Sequence, residues 1–187
     1  YVNGAVVEQR SMLGRLYAPF NRQLTAASNY TLAISADDNR GISKTSVVEI
    51  AVEPAPAQSM VLVGTGAPWR FLDDGSEPGI AWRAPGYNDT GWSNGPAALG
   101  YSTPSLATTV RSTRTNGSPI TTTYFRREWQ EPDPTRFRKL AVRVLGNDGA
   151  KLYLNGTEIF RNNLPSEPVG AATRALSDMA DPTTTTS

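Results

Sequence analysis

An all-β fold follows from the sequence on three grounds. Apolar residues recur with period two in several short segments, as a half-buried strand requires. The 16 Gly and 14 Pro, with abundant Ser and Thr, cut those segments into short runs separated by turns. Nowhere does an apolar i, i+3, i+4, i+7 pattern persist, so no long helix is expected.

The first elements are hairpin-like. Asn3-Gly4 lies between Tyr1-Val2 and Ala5–Glu8 and suits the positive φ angles of a two-residue turn. Tyr30, Leu32 and Ile34 alternate with Thr31, Ala33 and Ser35; after Asp37–Gly41 the alternation resumes with Val48, Ile50 and Val52, which predicts a second hairpin. Residues 54–60, with Pro54 and Pro56, read as a stiff linker, because proline donates no ladder hydrogen bond. All four Trp lie beyond it, so a module over residues 1–53 and a second domain over 61–187 are predicted. In the second domain Tyr124–Gln130 reads as a strand with Phe125 and Trp129 on one face. Arg138–Gly146, Ala150–Asn155 and Thr157–Arg161, joined at Asn147-Asp148-Gly149 and Asn155-Gly156, read as a three-stranded meander. The tail 177–187 carries too little apolar matter to close a domain, and the chain opens without Met. A piece of a longer protein, its second domain truncated at the C-terminus, is therefore expected.

Composition narrows the chemistry. With 39% apolar residues the chain has the material for a core. Its 18 Lys+Arg against 17 Asp+Glu give no basic surface for nucleic acid, and no apolar run reaches membrane-spanning length. There is no Cys and no His, which removes thiolate nucleophiles, disulfides, imidazole-based triads and Cys/His zinc sites from this chain. Carboxylate chemistry, oxygen-ligated cations such as calcium, and plain binding remain.

The order of motifs adds a resemblance. "YVNG" and "NYTLAISADDNRGISKTSVVEIAVE" resemble the back of a bacterial immunoglobulin-like module. "WRFLDDGS", "AWRAPGYNDTGW", "GPAALGY", "TTYFRREW" and "LAVRVLGNDGAKLYLNGTEIFRNNLP" resemble the galactose-binding-like jelly-roll domain of secreted multidomain bacterial proteins. The layout is similar to the non-catalytic sugar-binding domain of β-galactosidase-type glycosidases, with Gly146-Asn147-Asp148 where the pattern often has paired Asp. The resemblance implies a partial immunoglobulin-like β-sandwich followed by a jelly-roll β-sandwich, extracellular and non-catalytic. Its expected partners are carbohydrate or neighbouring domains of the same chain. Two alternatives stand beside it: a structural spacer, and a fragment of a glycosidase or phosphoesterase whose active site lies elsewhere.

Candidate ligand-binding residues follow from chemistry. Trp82, Trp92 and Tyr101 fall in loops and are either core or platforms for the apolar face of a sugar ring. Trp69 and Trp129, on strands, are expected in the core. Asp73, Asp74, Asp89 and Asp148 are placed to accept hydrogen bonds from sugar hydroxyls or to ligate calcium; in turns, such side chains also bond nearby backbone amides. Arg126, Arg127, Arg136, Arg138 and Arg143 read as solvated sheet surface, since alternation sends neighbours to opposite faces.

Overall fold

The computed structural model describes residues 10–12, 15–20, 28–37, 45–54, 60–101 and 105–179, with side chains from residue 60 onward, Arg138 excepted. The Asn3-Gly4 hairpin and residues 180–187 lie outside them. Among the described residues there is no α-helix, only two single 3-10 turns at Ala81–Arg83 and Pro134–Arg136. The strands are β1 (Arg10–Met12), β2 (Arg15–Phe20), β3 (Ser28–Asp37), β4 (Thr45–Pro54), β5 (Met60–Val63), β6 (Pro68–Leu72) and β7 (Ser93–Pro96). They continue with β8 (Leu99–Gly100), β9 (Thr108–Thr109), β10 (Thr122–Glu131), β11 (Phe137–Leu145), β12 (Gly149–Leu154) and β13 (Thr157–Asn162).

Two sheets result, antiparallel except for the β8–β9 pair. One runs β1-β2-β11-β4-β8-β9, with β5 also paired to β4; the other runs β13-β12-β3-β10-β6-β7. Strands from both sides of residues 54–60 lie side by side in both sheets. β3 is flanked by β10 and β12, while β11 is flanked by β2 and β4. The expected linker therefore runs between strands of one seven-stranded sheet, from β4 to its own partner β5.

Two predicted connections differ for the same reason. β3 and β4, read as a hairpin, belong to opposite sheets, and so do β11 and β12, read as part of a meander. The Asn147-Asp148-Gly149 segment is a corner between sheets. Gly149 is required there by space, because a Cβ would sit 2.9 Å from Leu164 Cδ2 and 3.2 Å from the Asn163 carbonyl.

Beyond residue 60 alternation nonetheless selects the core correctly, while the side chains of the 30–34 and 48–52 sets lie outside those described. Leu140, Val142 and Val144 of β11 face Phe125 of β10, Ala150, Leu152 and Leu154 of β12, and Trp69 and Phe71 of β6 across one shared apolar cluster. Trp129 packs on its margin. The period-two pattern specifies which side of each strand is buried but not which sheet the strand joins.

β12 and the 122–126 half of β10 are buried on both faces, which locates the interesting side of the molecule. Phe125, Leu152 and Leu154 point to the core, whereas Tyr124 and Tyr153 belong to a second cluster with Trp82 and Trp92 on the outer face of the six-stranded sheet. Loops 73–92 and 163–179 cover that face.

Because both sheets share one core, Leu152→Ala and Leu140→Ala are each expected to lower the stability of one common unfolding transition by about 2–5 kcal/mol. Urea denaturation followed by Trp fluorescence and by circular dichroism checks this. Two separate transitions, with only one responding, would contradict it.

Candidate functional site

Register places the outer-face residues in rows. Tyr153, Ala33, Arg126, Arg70 and Asn94 occupy one cross-strand row over β12, β3, β10, β6 and β7; Lys151, Ser35, Tyr124 and Leu72 occupy the next. A row of this kind brings side chains distant in sequence to within contact.

Arg126 is the centre of the first row and has 0% of its surface exposed. Its Nε donates to Asp89 Oδ2 at 3.0 Å, and Nη1 donates to the carbonyls of Trp82 at 2.8 Å and Ala84 at 3.0 Å. Nη2 donates to Glu128 Oε1. The expectation of a solvated Arg126 is thus overturned: a buried guanidinium is stable only when acceptors surround it, and loop 81–89 supplies them. Alternation from Arg127 holds, but the loop converts the outer face into an interior.

That loop carries Trp82 and Trp92 with it. Trp82 is 4% exposed and stacks edge-on against Tyr124 and Tyr153, with ring centroids 5.0 Å and 5.7 Å apart. Trp92 is buried against Trp82 and Tyr87. Tyr101 is buried in the main core. Of the three candidate stacking aromatics none stands free as a platform, and Trp82 borders a cleft.

The candidate carboxylates are similarly engaged. Asp73 is buried; its Oδ2 accepts from the Arg111 backbone N–H at 2.7 Å and its Oδ1 lies 3.6 Å from Arg111 Nε. Asp74 accepts from the backbone N–H of Ser76 at 2.8 Å and its hydroxyl at 2.6 Å, closing an Asx-turn. Burial alone raises the Asp74 pKa, but the Ser76 bonds outweigh it and hold the carboxyl below its usual range. Asp148 Oδ1 accepts from the Met179 N–H at 2.7 Å, tying down the end of loop 163–179. Asp89 bridges Arg126 and Arg70. The structure does not bring Asp73, Asp74 and Asp148 to one point, and no cluster of three acidic side chains suited to a metal occurs among the described residues.

What the structure does bring together is a cleft of about 230 Å³ between the two covering loops. Thr122, Tyr124, Lys151 and Tyr153 form its floor; Ile80, Trp82 and Arg83 form one wall, Glu167 and Val169 the other. Glu77 closes an end, its Oε2 accepting from Tyr124 Oη at 3.2 Å and from the Ala171 N–H at 2.5 Å. The Arg83 guanidinium lies 4.5 Å above the Tyr153 ring.

An ion network secures the Glu167 wall. Lys151, 3% exposed, places Nζ 2.6 Å from Glu167 Oε1 and 3.0 Å from Glu158 Oε2; Arg161 donates to both carboxylates as well. Bonding from Lys151, and then from Arg161, brings Glu167 down to about 2. Burial pulls Lys151 down, but its bonds to Glu167, Tyr153 and Glu158 outweigh that and raise it. At neutral pH the cleft therefore presents an ionised carboxylate, a protonated amine, phenol groups and aromatic edges. This is equipment for hydrogen-bonding a polyhydroxylated molecule against an apolar surface.

Lys151, Tyr153, Tyr124, Glu77 and Glu167 were not singled out from the sequence. The usable signal was "AKLYL", in which Lys151 and Tyr153 occupy the positions opposite the core-facing Ala150, Leu152 and Leu154. The chain matches no protein-family model, no curated protein and no solved structure.

Replacing Arg126 by Gln removes one of the two arginine partners of Asp89 and the donor to the Trp82 and Ala84 carbonyls. A loss of about 3–5 kcal/mol is expected in chemical denaturation, with loop 81–92 opened to proteolysis. For Glu167 the folded pKa lies below the ordinary glutamate value of 4.5, so its contribution is present above pH 4.5 and is lost as pH falls through about 2. The carboxylate is 60% exposed, so screening limits the effect to about 1 kcal/mol or less. Glu167→Gln should flatten the acid limb of a Tm-against-pH curve between those values; an unchanged acid limb would count against the network.

Proposed function

We propose that this chain is a non-catalytic carbohydrate-binding module, of the galactose-binding-like jelly-roll type and from a secreted multidomain protein, that holds a single sugar ring in the cleft over Tyr153. The observation that carries this reading is the composition of that cleft. Aromatic edges from Trp82, Tyr124 and Tyr153 line it together with donors and acceptors from Lys151, Arg83, Glu77 and Glu167. Its volume of about 230 Å³ falls below that of a drug-sized pocket, which suits one ring and not an extended chain. Ile80, 80% exposed at the lip, offers an apolar contact at the entrance.

A second reading is a structural spacer or a domain that packs against a catalytic neighbour. The burial of Trp82, Trp92 and Tyr101 favours it, because a module that binds glycans by stacking exposes such rings.

Titration calorimetry against neutral mono- and oligosaccharides, with and without calcium, separates the two. The binding reading expects at least one neutral sugar at a Kd of about 1 mM or tighter, weakened about tenfold by Tyr153→Ala or by Ile80→Ala. Absence of heat with every neutral sugar would leave the spacer.

A further inference from the structure

A second cleft, of about 260 Å³, lies on the other side of loop 81–92, and its hydrogen-bonding inventory is lopsided. Three guanidinium groups, Arg70, Arg126 and Arg127, meet only two carboxylates, Asp89 and Glu128. The acceptors are already used within the site. Asp89 takes Arg126 Nε at 3.0 Å and Arg70 Nε at 3.1 Å, and Glu128 Oε1 takes Arg126 Nη2 and the Gly86 N–H. The donors are not used up. Arg127 Nη1 donates to the Pro68 carbonyl, but its Nε is buried without a hydrogen-bond partner. Burial pulls the Arg127 pKa down with no carboxylate opposing it. Asn94, opposite Arg70 on β7, makes no side-chain hydrogen bond among the described residues.

We propose that this cleft binds an oxyanion, the carboxylate of a sugar acid or a phosphate group, held between Arg70 and Arg127 with the Asn94 amide beside them. A planar or tetrahedral oxyanion presents several acceptors to a fork of N–H donors, the pairing for which guanidinium groups are best shaped. It neutralises the one positive charge left when Asp89 and Glu128 are set against the three arginines, and it supplies Arg127 with a counter-charge that it lacks among the described residues. Arg126 does not reach the ligand; it is a positioning residue, with four hydrogen bonds that hold Asp89, Glu128 and the loop in place. The site is separate from the cleft over Tyr153 and stands whether or not that cleft takes a neutral sugar.

The test is calorimetric titration of the intact chain with glucuronate, inorganic phosphate and glucose in parallel. Binding of glucuronate or phosphate but not glucose to this cleft is expected, weakened about tenfold or more by ~0.5 M salt because the contacts are charge-assisted. Response to glucuronate alone assigns a carboxylate, and response to phosphate alone a phosphoryl group. Arg127→Gln and Arg70→Gln should each weaken binding about tenfold, while Arg111→Gln leaves it unchanged. Should Arg127→Gln fail the circular-dichroism check of folding, Arg70→Gln, with a side chain 41% exposed, carries the test. Failure of both anions to bind, or anion affinity unmoved by the folded arginine variants, would overturn the proposal; heat from glucose that Arg70→Gln leaves unchanged belongs to the cleft over Tyr153.

Discussion

A guanidinium with no exposure to solvent organises the outer face of the six-stranded sheet. Arg126 starts on a strand face that alternation would leave in water, and loop 81–89 closes over it. Two backbone carbonyls and two carboxylates meet its donors. Burying a charge costs several kcal/mol unless it is so surrounded, so the loop and the arginine are mutually dependent. From that pairing follow the position of Trp82, the burial of Trp92, and the existence of a cleft on each side of the loop.

The second covering loop is held differently. Leu164 packs over Gly149 and Glu167 is bound by Lys151 and Arg161, while Asn163 and Asp148 fasten the 177–179 stretch through Ser177 and Met179. One flank of the cleft over Tyr153 thus rests on a fully buried arginine and the other on an ion network open to water at Glu167. The two differ in sensitivity: screening and acid act on the exposed network far more than on the enclosed arginine. The candidate carboxylates Asp73 and Asp148 belong to this fastening work as well, each holding a loop by a backbone N–H.

Much of the strand content was legible because alternation is a local property. Tyr124–Gln130, Ala150–Asn155 and the inward set Leu140, Val142 and Val144 could be found from neighbours alone. Trp69 was legible as core for the same reason. The candidate site was less so. Trp82 was identified as an aromatic of interest, but Lys151, Glu167, Glu77 and Tyr153 come from separated segments, and only the cross-strand rows and the covering loops bring them together. Asp74 in its Asx-turn shows the reverse case, a role written entirely within three residues.

The sequence by itself determined that the described residues are built of strands, which side of the strands beyond residue 60 faces the core, and that the chain has no imidazole or thiol side chain. The tertiary structure alone decided that β3 and β4 part into opposite sheets, that β11 and β12 do the same, and that strands before and after residues 54–60 share ladders. The physical reason is one of range. Side-chain alternation is set by each residue's own backbone geometry, whereas ladder partners and the acceptors around a buried charge are supplied by segments tens of residues away.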